Sequence, residues 1–287
     1  MDDPLRVMTF NILHDSVRNL AAPWERRRPS VVETIRSGRP DVVCLQEVSP
    51  RQLEDLARDL EEYEFVPGVP SGATKLIPWL PGLYSIGRLF LGDFFDRGEL
   101  CPILVRRGRV EVLDHGCVFS PPRHDGSGRA PILSPTPHVV SWARVRVGSG
   151  AACAVYNTHR GVTPWTGNRT AGELLAILDR DWREEPQILV GDFNCLPSWP
   201  LVRTLTAERN GGPPPLRDAW RDADARTGPR GTFHWGFGLP GPRLDYILVR
   251  PRCAVRSVET LGARIGGVFP SDHFALAAEM ELRTSRP

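Results

Sequence analysis

The run ILVGDFN (188–194) carries an Asp and an Asn two positions apart, directly after an apolar stretch and a glycine. Alternate side chains of extended backbone share a face, so Asp192 and Asn194 point the same way. A carboxylate beside an amide donor suits a water nucleophile near an anionic centre. The plainer reading is an Asx turn closing a strand. Asp245 lies inside LDYILV, with apolar neighbours on both sides. A carboxylate there is expensive unless it is paired or bound to a cation. Asp272 and His273 are adjacent in PSDHFAL, and an Asp beside a His can hold the imidazole or bind a metal. Glu47 closes the apolar run DVVCLQE, His159 closes AVYNTH and is followed by Arg160, and Asn11 closes RVMTFN. Taken singly, each has a bland reading: a helix-dipole carboxylate for Glu47, a structural histidine for His159, an ordinary capping Ser-Asp for Asp272.

Together they supply what hydrolysis of a phosphate ester needs: neutralised phosphoryl oxygens, an oriented water and a stabilised leaving oxygen. Hard Mg²⁺ takes oxygen ligands, usually one or two carboxylates with waters and substrate, so Mg²⁺ is the expected cofactor, with Mn²⁺ as the alternative.

These residues must be carried by strands. Runs 6–12, 41–47, 101–107, 138–147, 152–159, 187–193, 243–249 and 273–282 are short, β-branched or aromatic, and bounded by Gly, Pro or Asp. QILVG and DVVCL are continuously apolar, as in strands buried on both faces. Ser49-Pro50-Arg51-Gln52 predicts a helix with a capping box. Residues 168–182 keep helical spacing, a shorter helix fits Pro29–Ser37, and 199–208 forms a further candidate. With the chemical residues spread from 11 to 273, a single domain over 1–287 must bring both ends together. Residues 67–95 are apolar and Gly/Pro-rich, and read as an insertion that packs on the core or walls a greasy substrate.

The net charge of +2 across 287 residues lacks the basic footprint of a dedicated nucleic-acid binder. Six scattered cysteines without a CxxC pair, several in apolar runs, read as buried thiols in a reducing setting. MDDPLRVMTFNIL does not have the pattern of a secretory leader. No run of 18 apolar residues suggests a membrane span. A cytoplasmic monomer is the expectation.

The strings TFNI, LQEV, NTH, GDFN, LDYI and SDH, in this order, resemble the endonuclease/exonuclease/phosphatase superfamily, to which pancreatic deoxyribonuclease belongs. The resemblance spans nearly the whole chain. It implies a four-layered α/β sandwich: two mixed β-sheets packed face to face, flanked by helices, with the site at one edge. It also implies roles. Asn11, Glu47 and Asp272 would lie at the metal, with Glu47 the principal ligand. Asp192 would activate water beside Asn194. His273 would contact the scissile phosphate and His159 would stabilise the phosphoryl group or protonate the leaving oxygen. Asp245 would support that centre, and Glu99, in RGELCPI, would orient His159. The chain departs from the pattern in the 67–95 segment, in RGVTPWTGNR after NTH, and in 124–138. Arg160 and Arg169 are the candidates for phosphate charge there.

Two functions share this machinery. One is a metal-dependent phosphoric ester hydrolase for a small-molecule or lipid-like phosphate, favoured by the near-neutral charge and the apolar segment. The other is a nuclease, which wants basic strips and stacking aromatics; WERRRP, LVRRGRV and eight tryptophans keep it in view. A pseudoenzyme would lack part of the set, and none of the central residues is missing.

Overall fold

A computed structural model describes residues 4–15, 22–66, 100–120, 138–148, 150–160, 166–180, 182 and 185–283. The 67–95 segment, Glu99 and most of 124–138 lie outside the described residues.

Two mixed sheets form the centre. The first contains β1 (Leu5–Asn11), β2 (Val42–Gln46), β3 (Tyr63–Val66), β4 (Ile103–Arg106), β10 (Ala225–Thr227), β12 (Cys253–Leu261) and β13 (Ala275–Leu282), in the order β10-β12-β13-β1-β2-β4-β3. The second contains β5 (Val110–Ser120), β6 (His138–Val147), β7 (Ala152–His159), β8 (Gln187–Asp192), β9 (Arg217–Asp218) and β11 (Asp245–Val249), in the order β5-β6-β7-β8-β11-β9. The chain's beginning and end meet here, because β1 lies between parallel β2 and antiparallel β13.

The continuous apolar runs are explained by burial on both faces. In β1, Val7 joins Val42, Val155, Ile188 and Val190 between the sheets, while Met8 and Phe10 face the helical layer. That layer is α1 (Trp24–Gly38) and α2 (Pro50–Asp59), which contribute Val31, Ile35 and Leu56. On the far side, α3 (Gly167–Arg180) and α4 (Pro200–Leu205) set Leu174, Leu178 and Leu201 against Leu189, Tyr246 and Leu248. The layers therefore run helix, sheet, sheet, helix, the four-layered sandwich the resemblance implies.

The capping box at Ser49 and Gln52 forms as expected, with Pro50 opening α2. The first helix is longer than its sequence signal: it begins at Trp24, and Pro29 lies inside it. Buried Trp24 and Arg27 anchor the added turn. Strands β3, β5 and β12 carry weaker signals. β5 and β12 each contain a register shift, between Val112 and Asp114 and between Val255 and Ser257, which breaks the two-residue alternation. None of the six cysteines forms a disulfide, and five of them are buried.

Strand register sets the geometry of one sheet edge. His159, the last residue of β7, pairs with Asp192, the last of β8, and Asp192 faces Asp245, the first of antiparallel β11. Asn11 ends β1 beside Gln46, one residue before Glu47.

Candidate active site

Asp192 is the hub. It is fully buried at the end of β8. Its Oδ1 accepts from the Asn194 backbone N–H at 2.8 Å, and its Oδ2 accepts from Asn11 Nδ2 at 3.0 Å and Asn194 Nδ2 at 3.3 Å. The Asx turn read from the sequence is thus present, and it builds the site. Asn194 holds φ 48, a left-handed conformation that Asn tolerates better than most residues. Gly191, just before, has φ 145, and a Cβ there would come within 1.8 Å of the Thr158 carbonyl oxygen. Only glycine lets β7 and β8 approach at that point.

Both histidines face this carboxylate. His159 Nε2 lies 3.6 Å from Asp192 Oδ2, 3.7 Å from Glu47 Oε1 and 3.0 Å from Asn194 Nδ2. His273 Nε2 lies 3.7 Å from Asp192 Oδ2, and its Nδ1 donates to Asp245 Oδ2 at 2.8 Å. Burial opposes the charged form of His273, but Asp245 and Asp192 overcome it and raise its pKa to about 10. The imidazole is therefore a cation at neutral pH. Burial also raises the pKa of Asp192, with a further push from Asp245.

Glu47 sits just past β2 with φ 56. Asn11 Nδ2 donates to its Oε1 at 2.9 Å, and the His14 backbone N–H donates to its Oε2 at 3.2 Å. The Asn11 oxygen accepts from the Leu13 backbone N–H at 3.0 Å. Its amide nitrogen accordingly spans Glu47 and Asp192. Burial raises the pKa of Asp272, the charge of Glu47 adds to that, and His273 and the Ser271 hydroxyl oppose it. Glu47, His159 and Asp192 form one cluster that could hold a metal ion, and Asp192, Asp245 and His273 form another. Asp192 and Asp272, whose neutral forms burial favours, lie among further carboxylates, a gathering that fits a divalent cation.

The two candidate arginines both have Glu173 of α3 as a neighbour. Arg160 is buried with its guanidinium 3.6 Å from Glu173, and burial lowers its pKa to about 10. Exposed Arg169 lies 3.3 Å from the same carboxylate. Their charge is directed at α3.

Several residues around the site were missed by sequence reasoning. Arg27 of α1 is 1% exposed and donates to the carbonyls of Ile12, Leu13, Ala22 and Pro270. It ties the loop after Asn11 to the segment before Asp272. Thr232 Oγ1 accepts from the backbone N–H groups of Leu244 and Asp245, and its carbonyl accepts from Phe274. His234 packs between Phe269 and Phe274 and donates its backbone N–H to the Asp272 carbonyl. Gln46 donates to Asn157 Oδ1 at 2.7 Å, joining the two sheets beneath the site. Gln46 and Asn157 do sit inside the strings LQEV and NTH, but an arginine inside a helix and a threonine in a loop give no local signal.

This constellation can be set beside known proteins. The model of the endonuclease/exonuclease/phosphatase family matches residues 8–273. The chain belongs to that family. As a phosphoesterase of the endonuclease/exonuclease/phosphatase family, it shares its class with hydrolases of phosphate esters. Solved structures agree on the fold. An endonuclease/exonuclease/phosphatase from Bacteroides vulgatus is 25% identical, with a TM-score of 0.79, over 98% of this chain and 100% of that one. A mannosyl-6-phosphatase from Bacteroides thetaiotaomicron is 21% identical, with a TM-score of 0.73, over 96% and 99%. TDP2 from D. rerio, complexed with a single-strand DNA product, is 18% identical, with a TM-score of 0.67, over 98% and 100%. No curated protein gives a significant match. Among the described residues, no helix is long and apolar enough to cross a membrane.

Proposed function

We propose that this family member is a Mg²⁺-dependent phosphoesterase acting on a small-molecule or lipid-like phosphate ester. The observation that carries the reading is the position of Asp192 Oδ2, within 3.7 Å of both histidine Nε2 atoms and hydrogen-bonded to the amide that also holds Glu47.

Glu47 and Asp272 are the residues that would hold the cation, which when bound supplies charge to the phosphoryl oxygens and the leaving oxygen. Asn11 fixes the spacing of Glu47 and Asp192 through its amide nitrogen. The Asn11 oxygen accepts from the Leu13 N–H and keeps a second lone pair, so the metal-side place implied by the resemblance stays open to it. Asp192, an acceptor when ionised, orients the attacking water, and the Asn194 amide steadies it. Protonated His273 offers Nε2–H to a phosphoryl oxygen while Asp245 keeps the ring charged and aligned. His159, at the opposite side of Asp192, protonates the leaving oxygen or stabilises the phosphoryl group.

The nuclease reading keeps the same chemistry, and the DNA product in the TDP2 complex shows that this fold can serve it. The net charge of +2, without a basic footprint, favours a compact substrate over a polyanion.

The test is a Mg²⁺-dependent activity panel with bis-p-nitrophenyl phosphate, single-stranded nucleic acid, sphingomyelin-type lipid, and prenyl and sugar phosphates. Turnover of a non-nucleic-acid ester that is lost in chelator and in Glu47→Ala is expected. Undiminished turnover under either condition would remove the metal mechanism, and activity confined to nucleic acid would establish the nuclease.

A further inference from the structure

Residues 232–243 read TFHWGFGLPGPR, a segment with no assigned role in the chemistry beyond Thr232 and His234. Phe233 pairs with His273 in an isolated antiparallel bridge, and its ring lies 4.9 Å from the His273 ring. On its other side it lies 4.7 Å from the Trp235 ring. A ladder of rings thus leads from the imidazole beside Asp192 to a tryptophan that is 57% exposed. Phe237 and Leu239 follow at alternate positions, 79% and 74% exposed, with glycine between them. Ile265, on the loop that packs against Gly238 through Phe269, is exposed as well.

Single exposed hydrophobic residues need no explanation, but several on one loop beside a reactive centre mark a contact surface. The backbone points the same way. Trp235 holds φ 52, an outlier for a bulky side chain. Room for its ring depends on Gly241, where a Cβ would stand 2.4 Å from Trp235 Cζ3. The ring is held along one edge by Phe233 and Gly241 and is more than half exposed.

We propose that Trp235, with Phe237 and Leu239 beyond it, is the specificity-determining surface for a flat apolar group esterified to the substrate's phosphate. The proposal rests on the phosphoesterase reading and names its substrate class. The His273 ring, where a phosphoryl group would be seated, lies two ring contacts from Trp235. The same surface could meet the apolar part of a soluble ester or of a membrane lipid, and the experiment separates these sources.

The experiment measures calorimetric binding of naphthylmethylphosphonate and methylphosphonate, with Mg²⁺ present, to the wild-type protein, to Trp235→Ala, and to a Phe237→Ser/Leu239→Ser variant. Burying an aromatic group of this size predicts that the wild type prefers the naphthyl ligand by roughly ten-fold or more. Trp235→Ala should bring the two affinities within about two-fold of each other, and the double variant should fall between. Phe237 and Leu239 are mostly exposed, and urea unfolding checks that Trp235→Ala, which removes a ring contact with Phe233, keeps the fold. Equal affinities in the wild type, or a preference untouched in Trp235→Ala, would overturn the proposal. So would binding to phosphatidylcholine/phosphatidylglycerol vesicles that depends on Phe237 without any preference among the soluble ligands, since the loop would then be a bilayer anchor. No bond is broken in these measurements. A protein that shows the preference yet hydrolyses no ester would fail the phosphoesterase reading alone.

Discussion

His273 Nδ1 donates to Asp245 Oδ2 at 2.8 Å, and both side chains are sealed from solvent at the edge where β8 and β11 meet. Asp245 is the first residue of β11, so the strand's rigidity is passed directly to the imidazole. With its pKa raised from 6.5 to about 10, His273 carries its charge through the neutral range in the metal-free protein. A raised folded-state pKa stabilises fully below the unfolded value and is lost as pH rises through the folded one. The metal-free protein should therefore lose stability between about pH 6.5 and 10. Asp245→Asn should flatten that slope and bring the His273 titration down towards its ordinary range. NMR titration of the ring and melting curves against pH measure both, and an unmoved His273 titration would contradict the pairing.

His159 faces Asp192 from β7, on the far side from β11. As a general acid it predicts that His159→Ala lowers kcat by roughly 10²–10⁴-fold. The loss should be smaller for an aryl ester, whose leaving oxygen needs little protonation. An equal loss for aryl and alkyl esters would assign His159 to phosphoryl binding instead.

Gly191 allows the closest approach of backbone in the site. At φ 145 and 1.8 Å from Thr158 oxygen, an added Cβ has no place to go without prising β7 from β8. Gly191→Ala should destabilise the fold by more than about 3 kcal/mol, read by urea unfolding. A stable, active Gly191→Ala protein would show that the strand ends have another arrangement.

Much of this was legible because strand ends concentrate chemistry. An abrupt change from apolar to polar residues marks where a buried strand leaves the core, and Glu47, His159 and Asp192 each follow such a change. Their types then suggest a cation and an anion. Less legible were the residues whose function depends on distant backbone. Sequence separations of 36 from Asn11 to Glu47 and 181 from Asn11 to Asp192 leave no spacing rule for the bonds that join them. The direction of the Asn11 amide was equally hidden, since it is set by a backbone N–H two residues on. Arg160 follows His159 in the sequence, but its proximity to Glu173 of α3, 3.6 Å away, had no local signal.

Gln46 and Asn157 follow the alternation of extended backbone. Each precedes a site residue by one or two positions and points between the sheets. Gln46 Nε2 donates to Asn157 Oδ1 and Thr9 Oγ1, while Asn157 Nδ2 donates to the carbonyls of Leu45 and Pro102. All of these groups are buried, so removing one partner strands another. Gln46→Leu should cost about 1–3 kcal/mol of stability. Turnover per folded molecule at saturating Mg²⁺ should stay near wild type. A large fall in kcat with unchanged stability would move Gln46 into the chemistry.

Arg27 offers the sharpest separation of metal binding from catalysis. Its guanidinium reaches four carbonyls, that of Ala22 at 3.0 Å and three on two distant segments, Ile12 and Leu13 at 2.6 Å and 2.8 Å, and Pro270 at 2.9 Å. The first segment holds the N–H groups that orient Asn11 and Glu47, and the second leads into Asp272. Burial lowers the Arg27 pKa to about 10, opposed by the charges of Asp272, Asp15 and Glu47, so the cation also lies in the field of the proposed metal-side carboxylates. Arg27→Met leaves those carbonyls without their donor and lets the two segments drift apart. Loss of an outer support of this kind typically weakens metal affinity about 10–100-fold. The Mg²⁺ concentration for half-maximal activity should rise by that factor in Arg27→Met, with kcat at saturating Mg²⁺ largely restored. Arg27→Lys, which keeps the charge but has too few donors for every carbonyl, should fall between. If kcat fell while the Mg²⁺ requirement stayed fixed, Arg27 would act on the reacting groups rather than through the segments that carry Glu47 and Asp272.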